Sequence, residues 1–202
     1  MKVKEMDRFT DHCNRYLRPD SPDQCTVLHP ADDAGFPHID MLLYSPSRQY
    51  PFWKLITMGA SDYKLPMTLC ARNEFMMFID KNVDLHDRET LTWYCDVLLS
   101  VALYPVENRM AVTFGHSIVW GKKEGTDMVC AYLELPYPVE DVNFLKCRLG
   151  PIKEAMALQV ILLTEAEMQQ LLRMGPEGFY DFLYPEGADG HFLCERYRSE
   201  CF

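Results

Sequence analysis

The chain has 202 residues, 48% hydrophobic and 25% charged, which is enough to build a sizeable core and excludes disorder over most of its length. Its 20 basic against 30 acidic residues give a formal net charge of −10 and form no basic stripe, which argues against a nucleic-acid binder; the charge suits a basic protein partner or simply solubility. The longest apolar run, residues 98–104 with Ser100 interrupting it, is far shorter than the roughly 20 residues of a bilayer crossing, and no signal peptide is expected, so the prediction is a cytoplasmic protein.

Met6, Phe9, Cys13, Tyr16 and Leu17 recur at helical spacing, which predicts an amphipathic helix over residues 4–17 with Pro19 just past its end. Residues 18–37, rich in Pro, Asp and Gly, read as a connecting loop with a short strand at 25–28. Two strands follow. In the first, His38, Asp40, Leu42 and Tyr44 share one face, and Ile39, Met41 and Leu43 the other. The second, residues 52–58, sets Trp53, Leu55 and Thr57 against Phe52, Lys54 and Ile56, with Trp53 expected in the core. The pair runs into a loop, Gly59-Ala60-Ser61-Asp62, that closes at Leu65-Pro66-Met67, and a third strand follows at 73–79.

Asp84 or Asp87 then caps a helix expected to end at Tyr104, before Pro105. Its stripe of Leu91, Tyr94, Cys95, Leu98 and Ala102 marks it as the main helix packed on the sheet. Strands at 116–120 and 128–135 flank the polar turn Gly121-Lys122-Lys123-Glu124-Gly125 as a hairpin. Residues 156–163 are apolar on both faces, the pattern of a central strand. Thr164-Glu165-Ala166-Glu167 has capping-box spacing and opens a helix with Met168, Leu171 and Leu172 inward, which Gly175-Pro176 stops. A last helical piece covers residues 177–184, and the tail 186–202 is mostly polar. Strands mixed with flanking helices, without strict βαβ alternation, predict one α+β domain over residues 1–185 on a mixed or mainly antiparallel sheet.

The chemistry-bearing residues favour modest roles. Eight cysteines lie scattered without a Cys-x-x-Cys pair, so reduced, buried thiols are expected, Cys95 and Cys130 among them. His191, Cys194 and Cys201 are irregularly spaced and lack a fourth ligand for zinc. Ser61 beside Asp62 lacks a Gly-x-Ser-x-Gly context and reads as a turn. His38 and Asp40 share a strand face, which admits an alternative: a metal-dependent hydrolase whose third ligand comes from His86 or His116. The plainer reading of the pair is a carboxylate accepting a hydrogen bond from a neighbouring imidazole.

Three blocks of the chain, in order, resemble the suppressor of fused family. They are the strand pair from His38-Ile39-Asp40 to Tyr44-Ser45-Pro46 and Pro51-Phe52-Trp53 to Met58-Gly59; the bend Gly59-Ala60-Ser61-Asp62 with Pro66-Met67, leading into Asn73-Glu74-Phe75; and the late element Val160-Ile161-Leu162-Leu163-Thr164-Glu165-Ala166-Glu167. Lys64 and Leu65 lengthen the loop, residues 122–126 look abbreviated, and the chain is too short for the second domain of the animal protein.

The resemblance implies a protein-binding module and no enzyme, with neither cofactor nor metal. The animal member of the family holds a zinc-finger transcription factor in the cytoplasm, whereas bacterial single-domain relatives look like immunity proteins that neutralise secreted toxin domains. The compact, methionine-rich chain is closer to the second type. By this resemblance Asp62 is the first residue assigned to a contact surface, joined by Ser61, Tyr63 and Tyr50, since exposed tyrosines make interface anchors. The partner implied is a protein, such as a basic toxin domain, with no nucleic acid and no membrane. Oligomeric state stays open, as does a scaffold role within an oligomer of the chain itself.

Overall fold

Among the described residues eight strands assemble, seven where the sequence predicts a strand and one where it does not. They are β1 (Cys25–Leu28), β2 (Asp40–Tyr44), β3 (Phe52–Met58), β4 (Asn73–Asp80), β5 (Ser117–Val119), β6 (Cys130–Glu134), β7 (Lys146–Arg148) and β8 (Glu154–Leu163). The sheet runs β1-β2-β3-β4-β8-β6-β5, with β7 paired to β8 off that path. The β4–β8 ladder is parallel and the other ladders are antiparallel. This is the expected α+β domain on a mixed, mostly antiparallel sheet. The computed structural model describes residues 1–29, 38–64, 72–184 and 191–198; the expected loop closure at Leu65-Pro66-Met67, Cys70, Cys201 and the remaining tail positions 186–190 and 199–202 lie outside them.

Strand alternation sorts side chains into two layers. Met41, Leu43, Trp53, Leu55, Phe75 and Met77 point to the face covered by α2 (Arg88–Glu107), meeting its Tyr94, Cys95, Leu98, Val101 and Ala102. Leu42, Tyr44, Phe52, Ile56, Met76 and Phe78 point the other way, under α1 (Val3–Leu17) and its Phe9, Cys13 and Leu17. Farther along that second face, Tyr132, Ile161 and Leu163 receive Leu171, Phe179 and Leu183 of α3 (Glu165–Leu183). Each well-buried apolar side chain contributes about 1.5–3 kcal/mol, so this double coverage supplies most of the stabilisation. The missed strand, β7, is three residues long with only Cys147 buried, too short for a periodic signal.

Helix ends repay close comparison with the sequence. Asp87 caps α2 by accepting from the Thr90 N–H at 2.8 Å. The helix continues past the expected stop at Tyr104 to Glu107, with Pro105 buried inside its last turn. The end is held instead by Asn108, whose backbone N–H and side-chain amide both donate to the Tyr104 carbonyl. At α3 the capping box forms as read: Thr164 Oγ1 accepts from the Glu167 N–H and the Glu167 carboxylate accepts from the Thr164 N–H. Gly175 breaks that helix with φ 75°, and the chain resumes helix through Pro176 to Leu183. Leu172, expected inward, is exposed at 68%, because only Leu171 and Met168 fall on the stripe facing β6 and β8.

Segment 191–198 docks on the domain. Cys194 is fully buried and bridges Ile79 of β4. Arg198 reaches the buried Glu167 carboxylate at 2.7 Å and the Leu162 carbonyl at 2.6 Å. Cys13, Cys25, Cys95, Cys130, Cys147 and Cys194 are unpaired thiols, five of them buried. Among the described residues no helix is long and apolar enough to cross a membrane.

Candidate functional site

The bend after β3 is built around glycine and a buried carboxylate. Gly59 has φ 131°, and a Cβ there would sit 2.8 Å from the His38 carbonyl oxygen, so the chain can pass only without a side chain. The 3-10 turn Ala60–Asp62 follows, leaving its first N–H groups without backbone partners. Glu74, fully buried at the start of β4, supplies them. Its Oε1 accepts from the Gly59 and Ser61 N–H groups, each at 3.0 Å, and its Oε2 accepts from the Ala60 N–H at 3.2 Å and from Thr57 Oγ1 at 2.6 Å. Thr57 Oγ1 in turn accepts from the Phe75 N–H. Burial raises the Glu74 pKa, against the hydrogen bonds from Thr57 and from the bend, which favour the anion.

The carbonyls of the bend are tied down as well. Arg72 Nη1 donates to the Ser61 carbonyl at 2.7 Å and to that of Asp62 at 3.0 Å. Lys153, in the loop between β7 and β8, donates to the Asp62 carboxylate and to Glu5 of α1 at 3.0 Å; the Met1 amino group also meets Asp62. Burial pushes the Asp62 carboxyl up, but Lys153 and the amino group more than offset this, and its pKa lies below the ordinary range. The bend therefore spends its backbone donors internally, so they cannot serve as an oxyanion hole. What faces outward is the Asp62 carboxylate, its side chain 34% exposed, with the half-buried Tyr63 beside it.

The structure does not bring all four expected contact residues to the surface. Ser61 is fully buried under the bend. Tyr50 is 4% exposed, packed on Phe52, with its hydroxyl accepting from the Gln49 amide. Only Asp62 and Tyr63 present side chains where a partner could touch them. Trp53 lies in the core as read. Nothing in the sequence marks Glu74 as the organiser of the bend beyond a carboxylate inside an otherwise apolar strand run.

Beside the bend, Asp40 gathers two imidazoles. His29 Nδ1 lies 2.7 Å and His38 Nε2 2.8 Å from the same Asp40 Oδ1. The expected third partners are elsewhere. His86 packs edge-on against Trp53, and His116 precedes β5, at the opposite edge of the sheet from β1. His191 stacks on Phe182 while the Cys194 thiol turns inward to the Val160 carbonyl, so those two do not share a ligand site. An open hollow of about 560 Å³, lined by Asp80, Asp84, Tyr94 and Arg196, sits at the other end of β4 from Glu74.

Comparison with known proteins follows the fold. The family model described as Suppressor of fused protein (SUFU) matches residues 35–196. Among solved structures, a suppressor of fused homologue from Neisseria gonorrhoeae superposes with a TM-score of 0.64 at 13% identity, covering 96% of this chain and 94% of that one. The Sufu–Fu complex gives 0.67 at 17% identity over 96% and 91% of the two chains. Drosophila Suppressor of Fused gives 0.60 at 15% identity over 93% of this chain and 48% of its own. No curated protein matches the sequence.

Proposed function

The chain belongs to the suppressor of fused family, and from that premise we propose that it is a protein-binding module that sequesters a protein partner, working in the cytoplasm as an immunity protein against a basic toxin domain. One solved relative is a complex with the protein Fu, which supports binding of a protein by this fold. The observation that carries the reading is the bend itself. The N–H groups of Gly59, Ala60 and Ser61 end on Glu74, the carbonyls of Ser61 and Asp62 on Arg72 and the Asp62 carboxylate on Lys153, so Asp62 and Tyr63 stand on a rigid corner. Pre-organised contact groups lose little conformational freedom on association. The net charge of −10 supports a basic partner, since complementary potentials accelerate encounter and suppress wrong pairings.

The test begins with the partner captured from the source organism on immobilised chain, followed by calorimetric titration of the purified pair. Asp62→Arg and Tyr63→Ala are each expected to weaken binding by at least about tenfold, the loss typical of an anchor residue. Thermal melts of the free variants separate lost contact from lost folding. Unchanged affinity in both folded variants would overturn the assignment of this corner.

A further inference from the structure

We propose that His29, His38 and Asp40 form a binding site for one divalent transition metal of the zinc class. The site is produced by pairing, since the three residues are spread over twelve positions of sequence. Leu28, the last residue of β1, pairs with Met41 of β2, and this antiparallel register brings the next residue, His29, across from Asp40. His38 lies two residues before Asp40, so strand alternation puts it on the same face. The three ligand atoms all lie within 4.8 Å of one another.

The chemistry of the set suits a borderline metal: two imidazole nitrogens and one carboxylate oxygen are ligands that zinc takes at about 2.0–2.2 Å. Ligands at such bond lengths in a tetrahedral shell stand about 3.3 Å apart, so His29 Nδ1 and His38 Nε2 must withdraw from Oδ1 by roughly half an ångström. They have room to do so, since the two imidazoles are 65% and 55% exposed while the Asp40 side chain is 4% exposed and fixed in the strand. Binding also requires both ring protons to sit on the opposite nitrogens, a tautomer change open to neutral imidazoles.

Electrostatics favours the ion too. Among the described residues the basic side chains meeting the buried Asp40 carboxylate are these two imidazoles, and no lysine or arginine does so. A dication would neutralise it outright. Three protein ligands leave at least one position open on the solvent side, for water or for a side chain of another molecule.

Titration of the whole chain with zinc chloride, at neutral pH in a non-chelating buffer with a non-thiol reductant, tests this. One ion per chain is expected, with affinity lowered at least about tenfold in His29→Ala and unchanged in His116→Ala. His29→Ala also removes a hydrogen bond to the buried Asp40 carboxylate, so its metal-free melting temperature serves as the baseline, and only the parent chain is stabilised by zinc above its own baseline. Cobalt(II) as a second probe should give the visible bands of a nitrogen–oxygen site without a thiolate charge-transfer band. Absence of saturable binding, equal binding by His29→Ala, or a thiolate band pointing to the cysteines would each overturn the proposal.

Discussion

Gly59 shows how one residue can decide whether a bend forms. Its φ of 131° is closed to ordinary side chains, and the His38 carbonyl oxygen stands 2.8 Å from where a Cβ would be. Gly59→Ala must either rotate the backbone away or push β2 aside, and in both cases the N–H groups aimed at Glu74 lose their alignment. A destabilisation on the order of 3 kcal/mol is expected from denaturant melts, combining left-handed strain with a backbone clash. A loss below about 0.5 kcal/mol would show that the bend tolerates a second path. Glu74 explains why the position matters: a fully buried carboxylate with four donors needs all of them in place.

At the scale of elements, Lys153 is the tie between three pieces of chain that share no sequence neighbourhood: α1 through Glu5, the bend through Asp62, and its own loop before β8. The Lys153 hydrogen bond lowers the Glu5 pKa, and Asp62 is also lowered on balance. Burial lowers the Lys153 pKa, but the two carboxylates outweigh it and hold it above the ordinary value. The carboxylate contributions are present above the unfolded carboxylate pKa values and are lost as pH falls through the lower folded values. The lysine contribution is present below its unfolded pKa and is lost as pH rises through the raised folded one. Lys153→Met should therefore cost about 1 kcal/mol, discounted for solvent screening at Asp62, on a plateau between about pH 5 and pH 10. Urea melts across pH check this; a difference that persists at both extremes would mean the loss is packing and not charge.

For the whole molecule, the cost of covering both faces of the sheet appears at Lys54. Strand alternation was legible in the sequence, and it sends Lys54 to the α1 face, where the side chain is fully buried. Nζ donates to the Ser45 carbonyl at 2.9 Å and to the Tyr50 carbonyl at 3.4 Å, with the Tyr50 and Phe52 rings 5.9 Å away. Burial pushes its pKa down to about 8. Between about pH 8 and the ordinary lysine value of about 10.4 the unfolded chain holds a proton that the folded one has released, so stability rises with pH in that window. Lys54→Met should remove that rise and add about 1–2 kcal/mol at neutral pH, the two freed carbonyls offsetting part of the gain. Melts at several pH values read the slope directly, and a slope that survives the substitution would refute the account.

Local chemistry that repeats along the chain could be read without coordinates. The two-residue alternation of β2, β3 and β4, the helical stripes of α1 and α2 and the Thr164–Glu167 box depend on near neighbours and were legible, as was the turn chemistry of Gly59-Ala60-Ser61-Asp62, though not the distant groups that hold it. The continuation of α2 through Pro105 was not, because Asn108 closes the helix from beyond the stop signal. Nor was the burial of Ser61 and Tyr50, the placing of Glu74 under the bend, or the choice of His29 over His86 and His116 beside Asp40. Those depend on which strands become neighbours and in what register. Pairing energy is shared among many weak contacts across the sheet, so no short stretch of sequence records it.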